Sequence, residues 1–194
     1  ILTVDTTNNT DLLFFTNKCQ VYKSKASDFS DTKASVLGDY VPAKLQMDEG
    51  ETTVAMISTK NYEGIVLFAF ENGKIAKVPL NSYETKTNRK RLTNAYSDKS
   101  PLSAVGFTEE ECEFLITASS GRMLLLHTAT INLKTSRTTQ GVAVMKLKKG
   151  QRVMSITKYK DGTFSKPSRY RTRSLPALGA MPDTEDTAQQ LSLI

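Results

Sequence analysis

The sequence predicts an all-β fold built of propeller-like blades, and three observations carry the prediction. An apolar run, a tight turn and a second β-rich run recur three times along the 194 residues. The turn positions Cys19, Gly73 and Gly121 fall 54 and then 48 residues apart. Each unit also closes on a further strand reached through a long polar loop. A period of about fifty residues with roughly four short strands per unit is the pattern of a propeller blade, not of a helical solenoid.

The opening strands are Leu12-Leu13-Phe14-Phe15, Ile65-Val66-Leu67-Phe68 and Phe114-Leu115-Ile116-Thr117. Each meets a turn, Asn17-Lys18-Cys19, Asn72-Gly73-Lys74 or Ser120-Gly121-Arg122, of the kind that supplies the positive φ of a tight hairpin. Cys19 stands where the other turns have glycine, so its backbone is expected to differ from theirs. The second strands start at Gln20, Lys74 and Arg122, and the closing strands at Thr53, Leu102 and Arg152 follow Gly50, Pro101 and Gly150. The expected architecture is three to four four-stranded blades in a partial ring, since a closed ring needs at least ~4. The blades occupy residues 1–158: 11–63, 64–111 and 112–158 are successive units, and 1–10 is the remnant of an upstream one. The chain starts inside a β-like run without Met, so it is expected to be a piece of a longer protein. From Tyr159 the repeat stops, and 159–194 is expected to be an extended, partly disordered C-terminal tail.

Scarce residues exclude several chemistries. Cys19 and Cys112 are far apart and form no CxxC pair, which argues against zinc and against a disulfide framework. The single histidine, His127, ends an apolar run and is expected to be a strand-end ring rather than a catalytic base. Glu109-Glu110-Glu111 is expected to be a solvated acidic turn. No catalytic constellation, metal or cofactor is expected. The sequence lacks a membrane-spanning run and a signal peptide, so the expected location is the cytoplasm, with no membrane partner.

The net charge of +6 is unevenly spread. It is −2 over 11–63, +1 over 64–111 and +7 over 112–158. Basic loops recur at one position of successive units, Lys86-Thr87-Asn88-Arg89-Lys90-Arg91 and then Lys134-Thr135-Ser136-Arg137. Such a rim would neutralise the regularly spaced phosphates of a duplex without reading its sequence. The gradient predicts that the second and third repeats hold double-stranded DNA and that the first contributes structure. The rival reading is a β-propeller protein-interaction module whose Met, Phe and Tyr residues form a docking face.

The motifs point to a family. The run from Leu12 to Lys23 resembles the LLFFTxxGxVY blade motif of the C-terminal domain of the A subunits of bacterial DNA gyrase and topoisomerase IV. Gly50-Glu51 with Val54-Ala55-Met56-Ile57 is similar to that blade's closing GE-x-V-x-A-I strand. Arg137 to Leu147 resembles the R-x-TQGV-x-VM-x-L segment of its final blade. The resemblance spans about residues 1–158 and implies a β-pinwheel that wraps duplex DNA on a basic outer rim. It implies two partners within a type II topoisomerase, the remainder of the A subunit itself and an ATPase B subunit. The strand-cleaving tyrosine of the family belongs to other domains, and none of the seven tyrosines here sits in a comparable motif. The glycine-rich basic gyrase box is absent, which leaves gyrase and topoisomerase IV both open. The expected DNA contacts are Lys18, Lys74, Lys77, Lys86, Arg89, Lys90, Arg91, Arg122, Lys134 and Arg137. Gln190 to Ile194 further resembles a short peptide that docks on the sliding clamp.

Overall fold

A computed structural model of the chain describes residues 4–33, 35–85, 89–184 and 186. Among these, eleven strands form three antiparallel sheets. Strands β1 (Asp11–Thr16), β2 (Gln20–Lys25) and β3 (Thr53–Thr59) build the first sheet. The second contains β4 (Ile65–Phe70), β5 (Lys74–Pro79) and β7 (Leu102–Thr108), with β6 (Arg91–Thr93) in the loop between β5 and β7. Strands β8 (Glu113–Ala118), β9 (Met123–His127) and β11 (Val153–Lys158) build the third, with β10 (Val142–Ala143) in its loop. The closing strands β3 and β11 each approach β7, which places the inner edges of the three sheets together.

The apolar runs are continuous because each sheet is covered on both faces. Leu13 and Phe15 face Val66, Phe68 and Phe70 across the first interface, while Leu67 and Ala69 face Phe114 and Ile116 across the second. Phe15 meets Phe68 and Tyr83 edge-on at 5.4 and 5.1 Å. Each fully buried aliphatic or aromatic side chain contributes roughly 2 kcal/mol by leaving water. All three closing strands pair with a register break at the same place, opposite Phe15/Thr16, Ala69/Phe70 and Thr117/Ala118. Cys19 corrects one expectation. Its φ of 55° lies in the same left-handed region as the 84° of Gly73 and the 79° of Gly121. Its N–H donates to Tyr96 Oη at 3.1 Å and its carbonyl accepts from Ala95 N, bonds that hold the strained residue in place.

The four-stranded sheets are not the contiguous units of the sequence. The first sheet has the order β3-β1-β2-β6 and the second β10-β5-β4-β7, so each takes its outermost strand from the following repeat. Gln20, Val21 and Tyr22 pair with Thr93, Leu92 and Arg91, and Ile75 and Lys74 pair with Val142 and Ala143. The reason is hydrogen bonding: the outer edges of β2 and β5 expose backbone donors and acceptors, and the next repeat's loop satisfies them. Both donated strands begin 11 residues before the closing strand of their own repeat. The matching position in the first repeat lies in α1 (Val41–Lys44), a single helical turn that packs with Leu45 and Met47 on the far face of the first sheet. Beside it Val36, Leu37 and Tyr40 are exposed.

The segment after β11, expected as a tail, is packed as far as it is described. Phe164 and Tyr170 are buried against Leu115, Met123 and Leu125. Single bridges join Leu125 to Arg171 and Met123 to Ala180, on the edge of β9 that a donated strand would cover. Val4 is exposed and outside any strand, and Ile1 to Thr3 lie outside the described residues.

Candidate nucleic-acid interface

Strand exchange determines where the charges stand. The Arg89-Lys90-Arg91 loop belongs to the second repeat in sequence but lies on the outer edge of the first sheet, where Lys23 N donates to Lys90 O at 2.7 Å. Lys134 and Arg137, from the third repeat, lie on the outer edge of the second sheet. Lys134 N donates to Lys77 O at 2.9 Å, and Arg137 Nη1 donates to Ser82 O at 3.4 Å with its guanidinium 5.9 Å from the Tyr83 ring. Lys74 reaches the same edge and donates to Gln140 at 3.3 Å. The positive edge of the first sheet is therefore supplied by the second repeat and not by the residues of the first.

Among the described residues, Arg89, Lys90 and Lys134 are exposed and make no side-chain hydrogen bond or ion pair. Arg91 is exposed but engaged. Its two Nη atoms hold Asp48 at 3.1 and 2.5 Å, its Nε donates to Gln20, and it lies 5.6 Å from the Tyr22 ring. Arg91 and Gln20 together hold the Asp48 carboxyl below its ordinary range. Lys90, Arg91, Lys23 and Lys44 line a groove of about 450 Å³ on this edge.

Lys18 stands exposed at a turn, where its ammonium donates to Glu49 O at 2.5 Å. Arg122 is half-buried and donates to Gly179 O at 2.9 Å. Lys77 is a correction: its side chain is only 4% exposed, and it is bound to Glu111 and to Thr128 O. A lysine so enclosed has no surface to give a phosphate. Glu111 remains exposed in the acidic turn but is also engaged, since Thr128 Oγ1 donates to it. Lys86 and the Gln190 to Ile194 peptide lie outside the described residues. His127 is exposed at the end of β9, and its Nδ1 accepts from Ala129 N at 3.3 Å.

Sequence reasoning missed Glu51, which is buried and accepts from Thr16, from Tyr22 Oη at 2.8 Å and from Asp48 N at 3.1 Å. These bonds anchor the loop carrying Asp48, and so the partner that orients Arg91. Its position beside Gly50 in the closing-strand motif was the available signal.

Comparison with known proteins agrees with this architecture. The chain is 26% identical over 163 residues to the DNA gyrase A subunit of Streptomyces coelicolor and 25% identical over 157 residues to that of Mycoplasma genitalium. These alignments cover 79% and 80% of the chain but only 19% of each relative, so the chain spans about a fifth of their length. Its fold is similar to a C-terminal domain of DNA topoisomerase IV, with a TM-score of 0.69 at 23% identity over 80% of this chain and 49% of that one. It is also similar to a DNA gyrase A C-terminal domain, with a TM-score of 0.65 at 15% identity over 93% of this chain and 64% of that one. The family model described as DNA gyrase C-terminal domain, beta-propeller, matches residues 10–60 and 113–159, and the chain belongs to that family.

Proposed function

We propose that this chain binds and wraps duplex DNA as the C-terminal domain of the A subunit of a bacterial ATP-dependent type II topoisomerase, of gyrase or topoisomerase IV type. It would act in the cytoplasm with the rest of the A subunit, which holds the cleaving tyrosine, and with an ATPase B subunit. The observation that carries the reading is the recurrence of free basic side chains at the same exchanged outer edge of two successive sheets, Arg89 and Lys90 on the first and Lys134 on the second.

Bending a duplex whose persistence length is ~150 bp costs several kcal/mol, so a wrapping surface needs many phosphate contacts along a curve. Cations repeated from blade to blade meet that need, and they do so without distinguishing bases. Contact with ~8 phosphates gives a slope near −7 for log K against log salt. A salt titration on unrelated duplexes tests the reading, together with ligation of nicked circles in the presence of the protein. Wrapping shifts the linking number of the sealed circles. A flat salt response with unshifted circles would reject wrapping and favour a protein-docking propeller.

A further inference from the structure

We propose that residues 166–173 form a third basic edge of the DNA-binding rim. The inference rests on the DNA-wrapping reading above and extends it to a segment that composition alone assigns to a tail. In the first two sheets the outer edge is covered by a strand from the following repeat, and that strand or its approach carries the cations. In the third sheet the outer edge is β9, an apolar strand that would otherwise present unpaired backbone. The segment after β11 covers it. Leu125 N donates to Tyr170 O at 2.8 Å, and Met123 N and Ala180 N exchange bonds with each other's carbonyls at 2.8 and 2.9 Å.

Four cations fall within these eight residues, Lys166, Arg169, Arg171 and Arg173, and no acid does. All four are exposed. Arg171 is occupied by Glu113 at 2.7 Å, and Arg169 Nε donates to Met181 O at 3.2 Å. Lys166 and Arg173 make no side-chain hydrogen bond or ion pair among the described residues. Arg173 borders a groove of about 330 Å³ with His127 and Ser174, donors suited to a phosphate oxygen, while the Thr130 and Thr172 hydroxyls that also line it donate to His127 O and Ser174 O. The Glu113 carboxylate that also lines it is neutralised by Arg171.

The segment is anchored, so its charges are held in place. Tyr170 is 1% exposed, its ring lies 4.3 Å from that of Phe164, and its hydroxyl donates to Asp186 at 2.5 Å. Cations fixed before binding lose less freedom when they meet DNA than cations on a mobile tail. The third edge thus repeats the arrangement of the other two by a different chain path.

The test is a salt titration of the full chain and of Lys166→Gln with Arg173→Gln, on a duplex long enough to pass all three edges. The expected result is a slope shallower by about 2 and binding on the order of tenfold weaker at 0.1 M salt, equally on unrelated sequences. A companion variant, Lys166→Arg with Arg173→Lys, keeps the charge and should keep the wild-type slope. A steep wild-type slope that the glutamine variant leaves unchanged overturns this inference alone. A flat wild-type slope overturns the DNA reading and this inference with it.

Discussion

Lys77 on β5 donates a 2.5 Å hydrogen bond to Glu111 at the entry to β8 and so ties the second sheet to the third. The ammonium also donates to Thr128 O at 3.1 Å and is almost wholly enclosed, whereas the Glu111 side chain is 42% exposed. The two ends of the pair are therefore unequal. Removing the acid leaves a buried cation short of its counter-charge, while removing the lysine leaves a carboxylate that reaches water. Glu111→Gln should destabilise the fold by roughly 1–3 kcal/mol and Lys77→Met by less, as read by denaturant unfolding. Lys77→Met should leave DNA affinity unchanged; a loss of affinity without a loss of stability would put Lys77 back on the rim.

The same pair predicts a pH dependence. Burial pushes the Glu111 carboxyl up, but the hydrogen bonds from Lys77 and Thr128 and the charge of Lys77 outweigh it and hold the group below its ordinary 4.5. A depressed carboxyl binds its proton more readily in the unfolded chain, so its stabilising effect is complete above that value and fades as pH falls through the folded one. Thermal unfolding of wild type and Glu111→Gln should show a gap that narrows on acidification below pH 4.5. A gap that widens there would contradict the assignment.

Strand exchange predicts that removing charges from different sheets weakens DNA binding independently. Arg89→Ala with Lys90→Ala should reduce the salt slope by about 2, and Lys134→Ala by about 1. The two sets stand on different sheets, so their effects should add. Arg91→Ala is expected to lower stability slightly by releasing Asp48, a solvent-screened surface pair of good geometry. Binding by each variant to two unrelated duplexes, with unfolding in parallel, separates these roles.

Two glycines are required by the exchanged strands. A Cβ on Gly73 would lie 2.4 Å from Met145 O, and one on Gly141 would lie 2.2 Å from Ile75 O, both at positive φ. At Gly121 the nearest atom is the flexible Met181 Cε at 3.5 Å. Gly121→Ala should cost about 1 kcal/mol, the strain of the left-handed backbone, and the other two substitutions clearly more. Equal losses at all three sites would show that the donated strand does not sit where it is described.

Anchoring of the third edge can be tested by proteolysis. Tyr170→Ala removes the buried ring and its bond to Asp186, and should open the segment to trypsin at Arg169, Arg171 and Arg173 while the first two sheets stay intact. Protection equal to wild type would mean that other contacts hold the segment.

The sequence by itself determined the repeat, the opening and closing strands, the turns and the family, because all of these are local. Apolar runs bounded by Gly, Pro and Asn report their own burial and bending without reference to a partner. The spacing of 11 residues back from each closing strand was also present, at Arg91 and Val142, but nothing local says which sheet such a short strand joins. Only the tertiary structure decided that β6 and β10 leave their own repeats. Pairing across a β-ladder depends on which edge is open in space, and edges of successive repeats are alike in sequence. The same non-local choice buried Lys77 beneath the third repeat's Thr128, moved the Arg89 to Arg91 cations onto the first sheet, and laid the basic segment after β11 along the edge of β9. Charge could be counted along the chain; its position on the surface followed from which backbone hydrogen bonds needed a partner.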